Sequence, residues 1–477
     1  MKLSEVKKYD LLINGQFVET EEKISVYDKF TGEIVAITAK ATKDHVFEAV
    51  GVAESAFRRK EISPFQRYEI LERSSRILAE RKEEMALALV QEVGKTIKDA
   101  RGEVDRAVQT LLLSAEEAKR IYGEVLPLSA SPGSENRMCY TVRIPIGVIG
   151  AITPFNFPLN LAAHKVAPAL AAGNTVVLKP ASATPLSAFL LAEILTEAGL
   201  PPGHLNIITG SGSQMGDWLL EDKRIGKYTF TGSAEVGEYI KAKSGLRRVS
   251  LELGNNSPNI VHEDADIIEA AKLCALRGFS TAGQACISVQ RIYVARPVLT
   301  LFLNELKTFT EGLIVGNPYD ERTDIGPMIN VKEATRVENW VREAVEQGAK
   351  LIAGGKREGA IFYPTILTDV KPEMKVVCQE VFGPVVTVIP YNDIDEAIDM
   401  ANDTEYGLQA GIFTNNLNIA MKATQQLHMG GVIVNDTSTY RADLMPYGGV
   451  KNSGIGREGP RYAIEDMTEL KVVVFNL

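Results

Sequence analysis

The chain is poor in the residues that build disulfide frameworks and metal sites. Its 477 residues include only four cysteines, Cys139, Cys274, Cys286 and Cys378, at wide and irregular spacing. Neither a disulfide scaffold nor a CxxC knuckle fits that spacing. Five histidines are scattered without a close pair, so no bound metal is expected. Long apolar runs are missing too: none reaches the roughly 18 residues that cross a bilayer. The apolar stretch in "MKLSEVKKYDLLINGQ" is too short for a signal peptide. Basic charge is not in excess, since 52 Lys and Arg face 61 Asp and Glu for a net charge of −9. Nucleic acid and anionic membrane are therefore poor partners. A metal-free cytoplasmic protein acting on a small molecule is the expectation.

What is present is ordinary globular composition, 45% hydrophobic and 24% charged, in a chain long enough for two or three domains. The first third reads as helical. Ser63-Pro64 forms an N-cap and first-turn pair, and Ile70, Leu71, Ile77, Leu78, Met85 and Leu89 follow at helical spacing. "KTIKDARGEVDRAVQTLLLSAEEAKRIYG" predicts another long helix. From Val142 onward, β-branched runs such as "VRIPIGVIGAITP", "NTVVLKP", "LNIITG", "KYTFTGS" and "VSLEL" alternate with helical segments. That alternation predicts a parallel sheet covered on both faces, an architecture that binds nucleotides at its strand ends. A second alternating region spans about 255–452, with strands in "QRIYVA", "AIFYPTIL", "VVTVIPY" and "GGVIVND". "RMCYTVRI" and the tail "ELKVVVFNL" are isolated β-like runs, and an apolar tail strand calls for a covering partner.

Several short stretches carry candidate chemistry, each with a plainer alternative. "TGSGSQMG" supplies Gly210, Gly212 and Gly216 one residue out of dinucleotide-binding spacing, and could equally be a tight turn. In "FTGSAEVG", Ser233 would open a helix, where N–H groups favour a phosphate or merely a serine cap. Lys179 ends an apolar strand and could grip a ribose or phosphate, or be solvated. Glu252 interrupts an apolar strand in "SLELGNNSP"; it is either a base tuned by burial or half of a buried ion pair. Asn156, in a turn between prolines, could donate to an oxyanion or simply form the turn. "GQACIS" sets Cys286 among small polar residues rather than core residues, as suits a thiol presented at a cleft.

Taken in order, "TPFNFPLN", "GNTVVLKPAS", "GLPPGHLNIITG", "FTGSAEVG", "LELGNNSPNIV", "GQACIS", "QEVFGPV", "NDTEYGLQAGIFT" and "MPYGGVKNSGIGREG" resemble the aldehyde dehydrogenase superfamily. The likeness runs from "INGQFVE" to the C-terminal strand. It implies a Rossmann-like NAD(P)-binding domain of residues 1–126 and 146–254, an α/β catalytic domain of 255–453, and a β oligomerisation element of 127–145 and 454–477. A homo-oligomer, dimer or tetramer, is implied with it. Cys286 would be the nucleophile, Asn156 with the Cys286 N–H the oxyanion donors, and Glu252 the base that activates water. Lys179 and Ser182 would lie near the adenosine ribose and Gly210 beside the adenine. The Phe230, Thr231, Gly232, Ser233 and Val236 stretch would meet the pyrophosphate, and Glu380 with Phe382 the nicotinamide ribose and ring. On this likeness the phosphate cradle is at Ser233 and not at the glycine-rich turn.

Two positions depart from the family pattern. Ser182 stands where many NAD-preferring members carry Glu, which leaves room for the 2′-phosphate of NADP. Asn255 stands where a second glycine is usual. The sequence looks most like the branch of lactaldehyde and non-phosphorylating glyceraldehyde-3-phosphate dehydrogenases, whose relatives also oxidise phosphonoacetaldehyde and sulfolactaldehyde. Arg106 and Arg441 match positions facing the substrate and would suit a hydroxy or anionic group. Alternatively both are structural, with Glu103 and Asp105 near enough to occupy Arg106. The expected substrate is a small hydroxy or anionic aldehyde, lactaldehyde-like. CoA-acylating and succinate-semialdehyde-type activities are alternatives, and a non-enzymatic role is a third.

Overall fold

Short β-branched runs separated by helices fold into two large sheets in the computed structural model, which describes residues 6–477. The first has eight strands. Its centre, in spatial order, is Arg248–Glu252, Ile225–Thr231, Val148–Ile152, Thr175–Lys179 and Leu205–Ile207, all parallel. Chain order runs outward in both directions from Val148–Ile152. The order therefore reverses between that strand and Ile225–Thr231, and a crevice opens at their carboxyl ends. The second sheet has seven strands, with Pro258–Val261, Arg291–Ala295, Val385–Tyr391 and Gln409–Phe413 at its centre. Pro258–Val261 and Gln409–Phe413 were not among the runs read as strands.

Helix Pro158–Ala172 is buried along its whole length, so its sequence is apolar on every side except where polar residues have partners. It packs against helices Ile97–Ala118 and Pro460–Asp466. Ser63 caps helix Pro64–Glu80 as expected, in a reciprocal box with Gln66.

Two expectations differ from the structure. The first third is not helical throughout: strands Lys7–Tyr9, Leu11–Ile13, Gln16–Val18, Lys23–Tyr27 and Ile34–Ala39 precede the first helix, Lys43–Arg59. They are short strands whose pairing, partly with Leu205–Ile207 far along the chain, supplies what local pattern does not. Within the segment expected to form the oligomerisation element from 454 onward, the first part belongs to the body. Gly454–Ile455 pairs with Leu251 and Glu252 at the edge of the first sheet, and Pro460–Asp466 packs on helix Pro158–Ala172. Only Thr468–Asn476 leaves that body, pairing along its full length with Arg137–Pro145, which also takes Val125–Leu126. Residues 1–5 of the expected first domain, and the start of the N-terminal stretch weighed as a signal, lie outside the described residues. Among the described residues no helix is long and apolar enough to cross a membrane.

Asn174 ties these parts together. Its buried side chain accepts from Gly147 N and donates to the Met467 carbonyl, both at 2.9 Å. Asn174→Ala should leave both backbone groups unpaired and cost about 2–4 kcal/mol at roughly 1–2 per group. Denaturant unfolding checks this; an unchanged midpoint would show that water replaces the amide.

Candidate active site

Several residues singled out for a dinucleotide stand at the carboxyl ends of strands Val148–Ile152, Thr175–Lys179 and Ile225–Thr231. Ser233 caps helix Ala234–Lys243 by accepting from Val236 N, leaving that helix N-terminus facing the crevice. Val236 is exposed there, while Phe230 is buried and its ring fills the space a Cβ on Gly232 would take. Thr231 Oγ1 and Thr153 Oγ1 are buried without partners among the described residues. Lys179 ends its strand buried, with no described carboxylate paired to it; burial pushes its ammonium down to about 8. Ser182 Oγ donates to the Gly210 carbonyl at 2.5 Å. A Cβ on Gly212 would lie 3.9 Å from Lys179 Nζ, so the glycine-rich turn, Lys179 and Ser182 share one end of the cleft.

The thiol sits on a loop with an unusual backbone. Thr281, Ala282 and Gly283 have successive φ values of 51°, 53° and 68°, a left-handed run that is costly for the first two. Gly283 is required twice over, because a Cβ there would also strike the Gly383 carbonyl oxygen. Gln284 fixes the loop: its Oε1 accepts from Ile329 N and its carbonyl accepts from Asn156 Nδ2 at 2.8 Å. One amide N–H therefore places Asn156 beside the thiol loop, and the other is free. Cys286 Sγ is partly exposed and lies 3.0 Å from the Tyr447 hydroxyl. Burial, with Glu380 and Glu252 nearby, pushes the thiol up to about 12.

Glu252 ends its strand in a slot that Gly448 keeps open, since a Cβ there would lie 2.8 Å from Glu252 Oε1. Its Oε2 has no partner among the described residues. Burial, then the neighbouring Glu458 carboxylate, raises Glu252 well above the usual carboxylate range. Glu380 accepts from Asn255 N at 3.0 Å, and burial raises it to about 7. Phe382, at φ 46°, meets the Phe155 ring edge-on at 5.8 Å. Asn255, the departure from the family pattern, donates its amide to Ser257 Oγ and the Gln409 carbonyl, bracing the segment that holds Glu380.

The two arginines do not converge on a common acceptor. Arg106 forks onto Asp443, Nε to Oδ2 at 3.2 Å and Nη2 to Oδ1 at 2.8 Å. The neighbours expected to occupy it are engaged elsewhere: Glu103 with Lys95 and the Leu159 and Asn160 N–H groups, Asp105 with Lys82. Arg441 is buried, donates to Glu458 Oε2 at 2.9 Å, and stacks 3.7 Å above the Tyr447 ring centroid. Its Nε has no partner among the described residues.

Sequence reasoning missed Tyr447, His164, Lys165 and Glu458. Lys165 meets Glu458 Oε1 at 2.8 Å, and His164 Nε2 meets Asp443 Oδ1 at 2.9 Å. A signal existed: "LNLAAHKVAPALAAG" places a histidine and a lysine inside an otherwise apolar helix, the same anomaly that marked Glu252. Lys165 and Arg441 hold Glu458 well below the usual range although burial alone would raise it.

Among the described residues Thr153 Oγ1, Thr231 Oγ1 and Glu252 Oε2 have no partner, and with Lys179 and the helix start at Ser233 they stand at the carboxyl ends of neighbouring strands around the topological switch point. These residues fit a dinucleotide.

The aldehyde dehydrogenase family model matches residues 17–473. The chain is 57% identical over 475 residues to the 3-sulfolactaldehyde dehydrogenase of Priestia megaterium, covering 100% of this chain and 99% of that one. It is 41% identical over 471 residues to the lactaldehyde dehydrogenase of Methanocaldococcus jannaschii, covering 98% and 100%. A solved glyceraldehyde-3-phosphate dehydrogenase, GapN of Methanocaldococcus jannaschii complexed with NADP, matches with a TM-score of 0.92 at 41% identity, covering 96% and 100%.

The hub at Asp443 yields a pH-dependent stability. Burial opposes its charge, but the His164 hydrogen bond and the Arg106 charge hold its carboxyl well below the usual range. A depressed carboxyl contributes stability that is full above its unfolded pKa of about 3.9 and is lost as pH falls toward the folded value. Asp443→Asn should cost about 2–4 kcal/mol at neutral pH, and its penalty should shrink on acidification. Parallel unfolding curves for both proteins over an acid series check this; a constant difference would count against it.

Proposed function

The chain belongs to the aldehyde dehydrogenase family, and from that premise we propose that it oxidises 3-sulfolactaldehyde, a short anionic 2-hydroxy aldehyde, to the carboxylate. It is an NAD(P)-dependent aldehyde dehydrogenase. The observation that carries the substrate reading is a buried arginine, Arg441, one aromatic ring away from the Cys286 sulfur, with its Nε unpartnered. The 57% relative named for that aldehyde supports it.

In this reading Cys286 Sγ bonds to the aldehyde carbon and forms a thiohemiacetal. The free amide N–H of Asn156 and the Cys286 N–H stabilise the oxyanion. When bound in the cleft of Lys179, Ser182, Gly210, Phe230, Thr231, Gly232, Ser233, Val236, Glu380 and Phe382, NAD(P) supplies the hydride acceptor. Glu252 takes a proton from water as the water oxygen adds to the Cys286 thioester and the thiol leaves. Its raised pKa makes it a stronger base than a surface carboxylate. Retention of this buried carboxylate favours hydrolysis over transfer to CoA. Arg106, held by Asp443, positions the 441–443 loop. A neutral 2-hydroxy aldehyde such as lactaldehyde is the second reading, favoured by Glu458 already balancing the charge of Arg441.

Residues 6–126, 146–252 and 454–466 make the cofactor body in this reading, and 258–434 the catalytic body. Strand Thr468–Asn476 exposes Leu470, Val472, Val474 and Phe475, which supports a homo-oligomer built through it; the reading also puts the enzyme in the cytoplasm.

Steady-state rates on 3-sulfolactaldehyde, lactaldehyde and propanal test the substrate class. Arg441→Lys keeps a charge for Glu458 but loses the planar fork. It should lower kcat/KM for the sulfonate about ten- to a hundredfold more than for propanal, mainly through KM, since any change in thiol activation is common to all three aldehydes. Equal losses on all three, or a native preference for propanal, would overturn the assignment.

Ser182 generates a cofactor test. Ser182→Glu should shift preference from NADP toward NAD by about tenfold or more, because like charges at short range cost on the order of one to four kcal/mol. An unchanged ratio would place Ser182 away from the ribose 2′ position.

A further inference from the structure

We propose that Tyr447 is a catalytic residue whose hydroxyl donates a hydrogen bond to Cys286 Sγ and stabilises the negative charge that the sulfur must carry to attack. The hydroxyl lies 3.0 Å from Sγ, and the sulfur is its only hydrogen-bond partner among the described residues. The tyrosine is buried and its burial keeps the phenol protonated, hence a donor, throughout the working range. Arg441 lies 3.7 Å from the ring centroid on its π-face. A cation there draws electron density from the ring and makes the phenol O–H a better donor. Glu458 and the buried Lys165 hold that guanidinium in place.

The site needs such a donor. Burial and the carboxylates of Glu380 and Glu252 all oppose a thiolate at Cys286; only Tyr447 and the charge of Arg441 favour it. The thiol proton passes from the sulfur to solvent water, whereas the phenol shares its proton and keeps it, so Tyr447 is unchanged after each turnover.

The proposal rests on Cys286 being the nucleophile, and the test separates the two. Alkylation by iodoacetamide forms a sulfur–carbon bond, releases iodide and requires the thiolate. Its rate at Cys286, read by peptide mass against pH in the full chain, reports the sulfur directly and excludes the exposed Cys378. Tyr447→Phe keeps the ring under Arg441. It should move the midpoint up by about one pH unit and slow alkylation about tenfold below it, as losing a hydrogen bond to a charged group requires. The wild-type chain made with 3-fluorotyrosine keeps every contact but has a more acidic phenol, and its midpoint should fall. An unchanged midpoint in either protein overturns the proposal. A lower midpoint in Tyr447→Phe does so too, because the thiol would then have been the donor. Cys286→Ala decides the underlying reading: retained turnover sinks the nucleophile itself, while lost turnover with an unaltered Tyr447→Phe profile sinks only the tyrosine's part.

Discussion

One buried carboxylate organises the site. Glu458 accepts from Lys165 on one oxygen and from Arg441 on the other, and all three side chains are at most 5% exposed. Charges taken out of water are tolerable only when geometry pairs them closely, so this triad has little freedom. It pins the loop carrying Arg441 and Tyr447 to helix Pro158–Ala172. The position of Tyr447 over the Cys286 sulfur, and of Asp443 between Arg106 and His164, follows from that anchorage.

The same triad sets Glu458 and Glu252 apart. Glu252, Glu380 and Glu458 are all desolvated, and burial alone would raise each. Glu458 takes both cations and stays low. Glu252, left with an unpartnered oxygen and a neighbouring carboxylate, goes high. Two like residues thus acquire opposite protonation behaviour from their partners, the pattern expected where one acid is structural and another does chemistry.

Backbone shape completes the arrangement. Gly283, Gly448 and Gly254 each occupy a place where a Cβ would strike a backbone oxygen or a carboxylate of the site: the Gly383 carbonyl, Glu252 and Glu380 respectively. The left-handed Thr281 and Ala282 are held by the loops around them, so conformational strain is concentrated beside the thiol.

Much of this was legible in the chain itself. Alternating β-branched and helical runs specify parallel sheets wherever they occur, because a strand buried on both faces must be apolar throughout. Cys286 and Glu252 stood out since each residue type is out of place in its local context, whereas Asn156 suited its turn and gained a role only from the motif around it. The ordered motifs identified the family. The N-terminal strands did not show, because at three to six residues they are too short for a clear period and are set by pairing, one of them with Leu205–Ile207 far along the chain. The partner of Arg106 was likewise out of reach: two acids lie within three residues of it, yet Asp443, 337 positions along the chain, holds it. Tyr447 and Glu458 acquire meaning only when the fold carries them to the sulfur and to Lys165. Local sequence determined which elements form and which residues are chemically anomalous. Tertiary structure alone decided which charges meet, because pairing and desolvation are properties of positions brought together in space.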